Sequence, residues 1–306
     1  SMNIFGTDGI RGVANVELTP NTAFELGRAI SSYLSPGGKL CIGKDTRISG
    51  DMLEASLIAG ITSTGVDAIR LGVLTTPGLS FIVGNFSFDG GVMISASHNP
   101  FEYNGLKVFG PDGKKIPDSL ECEVSEMVVG IKNAKPSAVG GQIGRVFDRF
   151  DLVKHYIEFL SSQPKRDMSN LRLLIDTANG SASYSAAAVW KPICPNVDFI
   201  NSNPNGTNIN DECGSTHMSI LSEKVVQGGY HAGFAYDGDG DRCLAVDEQG
   251  KILTGDHIMA IMAVDMAEKG LLNGNTVVGT VMANLGLEIF LESKGISLLR
   301  TFVGDR

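Results

Sequence analysis

The sequence predicts an α/β protein of three similar domains, each with a mixed, mostly parallel sheet sandwiched by helices, the third incomplete. Two observations predict it. A strand, polar loop, helix, strand unit occurs three times at spacings of very roughly a hundred residues, which marks similar α/β domains in series. The chain, 306 residues of which 42% are hydrophobic, can bury substantial cores and is longer than one ordinary domain.

The elements follow in order. Thr19-Pro20 opens a helix as N-cap and first-turn proline, and Ala23, Leu26, Gly27, Ile30, Tyr33 and Leu34 recur on one face that should be core. Upstream, Gly6 to Gly12 is a glycine-rich loop with one cation, Arg11. The first repeat unit is the strand Leu40 to Ile42, a polar loop to an N-cap at Ser49, a helix from Met52 to Ser63, and the strand Ala68 to Leu71. The second comprises Leu171 to Ile175, the small-residue loop Asp176 to Ser183, the helix Tyr184 to Trp190, and Val197 to Ile200. The third comprises Thr276 to Val278, the loop Gly279 to Asn284, the helix Leu285 to Lys294, and Ser297 to Arg300. Pro136 to Gly144 lacks apolar periodicity, and Asp151 to Leu160 reads as a helix opening the next domain. The expected domains are therefore 1–150, 151–250 and a partial third, 251–306.

Composition narrows the function classes. A formal net charge of −9 argues against nucleic acid as a partner, because phosphate-backbone binding relies on a basic surface. The five cysteines (41, 122, 194, 213 and 243) are scattered and contain no C-x-x-C pair, so neither a disulfide framework nor a zinc site is indicated, and a reducing cytoplasm fits. No charged leader precedes an apolar stretch at the N-terminus, and no apolar run approaches the roughly 20 residues that span a bilayer, so no signal peptide or membrane insertion is expected. Oligomeric state stays open, a homodimer among the options.

Two stretches carry chemistry. The apolar run Gly91 to Ile94 feeds into Ser95-Ala-Ser-His-Asn-Pro100, which delivers serines at the carboxyl end of a strand, where open α/β sheets place their sites. In Asp237-Gly-Asp-Gly-Asp-Arg242, three carboxylates alternate with glycines around one point; they would repel one another without a divalent cation, and oxygen ligands select magnesium or calcium. An EF-hand does not fit, since Arg242 occupies the sharp-turn position and the flanks read as strands. A serine beside a carboxylate metal loop suggests phosphoryl chemistry. Lys107, in Asn104-Gly-Leu-Lys107, is by default a solvated charge on a strand edge, but its position after the serine loop makes it a candidate to exchange a proton with the hydroxyl or steady the phosphoryl; His98 is the rival. Asn201 to Thr216 is polar, long and glycine-punctuated, a connecting loop by default.

Phe5 to Gly12, Ile42 to Gly50, Ile94 to Pro100, Asn104 to Lys107, Asn208 to His217, Asp237 to Arg242 and Val303 to Arg306 together resemble the phosphohexomutase superfamily, in family order from first to last. The stretch 201–216 resembles its bacterial glucosamine-phosphate branch. The resemblance implies interconversion of glucosamine 6-phosphate and glucosamine 1-phosphate, with a small phosphosugar as partner. It makes Ser97 the phosphoryl carrier, with magnesium held by Asp237, Asp239, Asp241 and an oxygen of the phosphoserine. A sugar 1,6-bisphosphate would be activator and intermediate. Lys107 or His98 would be the general acid and base, Arg11 and Arg242 would balance phosphoryl charge, and Arg242 and Arg306 would meet the substrate. The family pattern continues into a sugar-reading loop and a fourth domain that grips the distal phosphate; neither occurs in these residues, so the chain alone is expected to be inactive. The alternatives are a phosphomannomutase or phosphoglucomutase, and a non-catalytic sugar-phosphate or metal-binding module.

Overall fold

A computed structural model of the chain describes residues 2–164 and 166–302. The first unit comprises β1 (Ile10–Val13), α1 (Pro20–Ser31), β2 (Lys39–Lys44), α2 (Ser49–Thr62), β3 (Asp67–Val73), α3 (Thr76–Asn85), β4 (Gly90–Ile94), β5 (Tyr103–Phe109), α4 (Asp118–Val128) and β6 (Val146–Asp148). Its sheet has the order β1-β5-β4-β2-β3-β6. From β4 to β6 the pairings are parallel; β5 pairs antiparallel with β4 and with β1. Alternation along β4 explains why the sheet is covered on both sides: Val92 and Ile94 join a core with Leu26, Leu57 and Leu106, while Met93 joins another with Leu71, Leu79 and Phe109.

Local chemistry sets the helices. Thr19 Oγ1 accepts the Thr22 N–H and Pro20 starts α1, which buries Ala23, Leu26, Gly27 and Ile30 as its spacing requires. Tyr33, expected on that face, lies beyond the helix, is exposed, and donates its hydroxyl to Glu123. Ser49 is the first residue of α2 and no side chain caps that helix.

The second unit comprises α5 (Leu152–Ser161), β7 (Leu173–Asp176), α6 (Ala186–Trp190), β8 (Val197–Ile200), α7 (Met218–Gly228), β9 (Ala232–Tyr236), β10 (Cys243–Asp247) and β11 (Ile252–Leu253). Its sheet order is β11-β10-β9-β7-β8, parallel from β9 to β8 and antiparallel on the other side, so it is less parallel than the sequence suggested. Helix α5 sets Tyr156 and Phe159 against Phe81 of α3 and also bonds α6 through Ser161 and Val189. It therefore ties the first unit to the second.

The third unit comprises α8 (Gly255–Glu268), β12 (Thr276–Thr280), α9 (Leu285–Ser293) and β13 (Ser297–Thr301), with β12 and β13 as a parallel pair. Among the described residues no helix is long and apolar enough to cross a membrane. The fold brings the start of α3 and the loop after β4 against the turn between β9 and β10, where Thr76 N–H donates to Asp239 O at 2.9 Å and Ser97 Oγ to Asp239 Oδ2 at 3.3 Å.

Candidate active site

Strand β4 ends at Ile94, and the chain reaches Ser97 in a left-handed conformation, φ 52°, that few non-glycine residues adopt. Three groups hold that conformation. Ser95 Oγ accepts the Ser97 N–H at 3.0 Å and donates to Asp45 Oδ2 at 2.6 Å. Arg47, paired with Asp45 through Nε at 3.0 Å, donates Nη2 to Ser97 O at 3.1 Å, and its Nη1 bonds Tyr103 O at 3.1 Å and Pro100 O. Asn210 donates to Ser97 O at 2.8 Å. Ser95 is thus committed to the frame, whereas the Ser97 hydroxyl points at cations.

Lys107 Nζ donates to Ser97 Oγ at 2.8 Å and Arg11 Nη2 donates to it at 3.1 Å. Arg11 sits on β1, beside Gly105 of β5, and also pairs with Asp8 at 3.5 Å. Lys107 is not on a sheet edge: β5 lies between β1 and β4, and the side chain is 3% exposed. Burial is tolerated because its ammonium pairs with Asp239 Oδ2 at 2.8 Å. That same oxygen accepts Thr76 Oγ1 at 2.6 Å and Ser97 Oγ at 3.3 Å.

Asp237 and Asp239 are buried in the β9–β10 turn. Asp237 Oδ1 accepts the Arg242 N–H at 3.0 Å, leaving Asp237 Oδ2 and Asp239 Oδ1 buried with no hydrogen-bond partner among the described residues. Burial, then the Asp239 charge, pushes the Asp237 carboxyl up to about 7. Burial would do the same to Asp239, but the Lys107 ammonium and the hydrogen bonds it receives outweigh that and hold it below the usual carboxylate range. Two unpartnered buried carboxylate oxygens are a donor set that suits a hard divalent cation. Asp241, from the same motif, is exposed, and among the described residues no group of three His, Cys, Asp or Glu is arranged to hold a metal. A cavity of about 430 Å³ opens beside these residues, lined by Lys107, Asp241, Asp8, Lys114 and Lys115, a size that suits a small ligand.

The chain matches, in series, the sequence models for phosphoglucomutase/phosphomannomutase alpha/beta/alpha domain I over residues 2–135, domain II over 154–250 and domain III over 254–306. It is 47% identical over 306 residues to the phosphoglucosamine mutase of Thermoanaerobacter sp. (strain X514), covering 99% of this chain and 68% of that protein. The chain belongs to the phosphoglucomutase/phosphomannomutase family. It is 48% identical to another member of that family, the phosphoglucosamine mutase of Shouchella clausii (strain KSM-K16), over 99% of this chain and 68% of that one. Among solved structures, a phosphoglucomutase/phosphomannomutase family protein from Burkholderia thailandensis superposes with a TM-score of 0.85 at 25% identity, over 98% of this chain and 66% of that one. The fold, at 20% identity and a TM-score of 0.53, is also that of the Aspergillus fumigatus N-acetylphosphoglucosamine mutase solved with GlcNAc-6P and magnesium, over 89% of this chain and 48% of that one.

Of the residues that the family resemblance singled out, Ser97, Lys107, Arg11, Asp237 and Asp239 lie together. His98 does not bond Ser97: its Nδ1 is buried with no partner among the described residues, and burial, then the charges of Arg242 and Arg11, hold its pKa below the ordinary value. Arg242 is exposed and reaches the turn through its backbone. Arg306 lies outside the described residues. Sequence reasoning assigned no role to Asp45, Arg47, Thr76 and Asn210, and named Ser95 only as one of the serines at the strand end; all five hold the site in shape. Thr76 follows Thr75, the N-cap that accepts the Gly78 N–H, and precedes Pro77, a cap signal of the same form as Thr19-Pro20.

Proposed function

We propose that the chain carries the phosphoserine machinery of a phosphoglucosamine mutase, an enzyme that interconverts glucosamine 6-phosphate and glucosamine 1-phosphate, and that these residues alone do not complete the turnover. The observation that carries this is the Ser97 hydroxyl between Lys107 at 2.8 Å and Arg11 at 3.1 Å, beside two unpartnered buried carboxylate oxygens. Identity of 47% to a phosphoglucosamine mutase supports the glucosamine assignment.

In this reading phosphorylated Ser97 gives its group to the free hydroxyl of the phosphosugar, producing a sugar 1,6-bisphosphate; turning that over and returning the other phosphoryl completes the exchange. The phosphorus–oxygen bond to Ser97 breaks as the one to the sugar forms. Lys107 hands a proton to Ser97 Oγ and regains one from the sugar hydroxyl, while Arg11 and Arg242 offset phosphoryl charge. His98, held neutral and unbonded to the serine, is the weaker candidate for the proton transfer. Asp237, Asp239 and Asp241, with an oxygen of the phosphoserine, would hold magnesium, which when bound neutralises phosphoryl charge. Arg306 is retained as a residue that meets the substrate. The units 1–150, 151–250 and 251–306 are the domains of this reading. The five free thiols fit a cytoplasmic protein.

The test is a half-reaction. Glucosamine 1,6-bisphosphate with magnesium should phosphorylate Ser97, mapped on the peptide, and Ser97→Ala should abolish the label. Label on Ser95, or label surviving the substitution, would overturn the assignment of the carrier. Faster labelling by mannose or glucose bisphosphate would overturn the glucosamine assignment.

A further inference from the structure

The grip on Ser97 comes from two units. Its carbonyl oxygen accepts Arg47 Nη2 of the first unit at 3.1 Å and Asn210 Nδ2 of the second at 2.8 Å, so that each of its two lone pairs has a donor. The Asn210 amide also bonds Asn99 O at 3.0 Å, spanning both ends of the serine turn. Asn210 is itself buried and held in a left-handed conformation, φ 59°, with its N–H on Ala178 O at 2.9 Å. The packing leaves no slack, because a Cβ on Gly238 would stand 2.5 Å from Ser97 O and 2.9 Å from Asn210 Nδ2. Two further bonds stitch the same seam, Thr46 Oγ1 to Asn179 O at 2.6 Å and Ile48 N–H to Gly206 O at 2.9 Å.

We propose that Asn210 is a positioning residue that makes the reactivity of Ser97 conditional on docking of the second unit. A left-handed serine keeps its conformation only while its surroundings impose it. Arg47 alone fills one lone pair of the Ser97 carbonyl; Asn210 fills the other and fixes the carbonyl of Asn99, so the turn cannot rotate Oγ away from Lys107 and Arg11. The stretch 201–216, a connecting loop by composition, thereby acts as a latch. Losing the Asn210 bonds alone costs the serine its aim while Lys107, Arg11 and the acidic turn all keep their side chains.

The test uses Asn210→Leu, which keeps the approximate shape and removes both donors, and Asn210→Asp, which sets a carboxylate against two carbonyls. Hydrogen exchange reads the turn directly. In both variants the amides of Ser97 and Asn99 should exchange at least about tenfold faster, while those of α1 keep their native protection. Labelling of Ser97 by the bisphosphate reads the consequence and rests on the phosphoserine reading above. Its saturating rate should fall about 10- to 100-fold, with the half-saturating bisphosphate concentration moving less than about threefold, because only aim is lost. Native exchange at the turn in both variants, or labelling at the native rate, overturns the proposal. So does loss of protection in α1 in both variants, which would make Asn210 part of general packing. If the native protein is not labelled, the phosphoserine reading fails, and the exchange arm still decides whether Asn210 holds the turn.

Discussion

Asp237 should set the pH dependence of cation binding. Its carboxyl, pushed by burial up to about 7, keeps its proton across a range where ordinary carboxylates have lost theirs, and a cation must displace that proton. Magnesium affinity should therefore fall as pH drops below about 7, by up to tenfold per unit, with proton release measurable by calorimetry in two buffers of different ionisation enthalpy. The sign for stability is the opposite. Between the ordinary carboxylate value and about 7 the folded state binds the extra proton, so this residue's contribution falls as pH rises, and Asp237→Asn should remove that slope from urea titrations. A magnesium titration indifferent to pH from 6 to 8 would exclude the carboxyl as a ligand.

Lys107→Ala leaves Asp239 buried and charged without its cation, which should cost about 3–5 kcal/mol in urea unfolding. Adding Asp239→Asn should recover part of the loss, since a neutral amide needs no counter-charge; additive losses would show that the pair does not interact. At this scale the sequence showed residue types and spacing but not direction. Ser97, Lys107 and the acidic turn were legible, whereas Lys107 looked like an edge charge because nothing local reveals that β1 covers β5. Nor could composition reveal that Asp237 and Asp239 are buried while Asp241, third in a regular pattern, is exposed at the cavity.

At the scale of elements, helices α1 and α2 approach so closely that glycine is required on both. A Cβ on Gly60 would lie 2.1 Å from Phe24 O, and one on Gly27 would lie 2.6 Å from Leu57 O. Both obstacles are backbone, so Gly60→Ala must push the helices apart and should cost about 1–3 kcal/mol. Gly141→Ala, where the added carbon meets nothing within 4 Å, should stay within about 0.5 kcal/mol of native. Equal midpoints for the two variants in urea would refute the close-packed crossing. The first helix and all three repeat units were legible because caps and apolar periods are local signals. The start of α2 was not, since no side chain caps it. The role of α3 was hidden differently: its cap signal stands in the sequence, but that its first turn meets Asp239 depends on two strands distant in the chain.

For the whole molecule, stability should be graded along the chain. The first unit surrounds a six-stranded sheet with a core on each face, whereas the third, among the described residues, has a two-stranded parallel pair and one small core around Leu287, Leu291 and Ile296. Val278 and Leu299, on that pair, and Leu285 and Ile289, on α9, are exposed. Two strands are too few to be stable alone, and each apolar side chain left in water withholds stabilisation that burial would give. The seam around Asn210, by contrast, ties the second unit to the first through buried and part-buried hydrogen bonds. Amides of β12 and β13 should therefore exchange by local opening at denaturant concentrations where those of β2 and β4 exchange only with global unfolding, and brief proteolysis should cut first between α8 and β13. Protection in β12 equal to that in β4 would mean that the third unit unfolds only together with the other two, and the grading inferred from core size would be wrong.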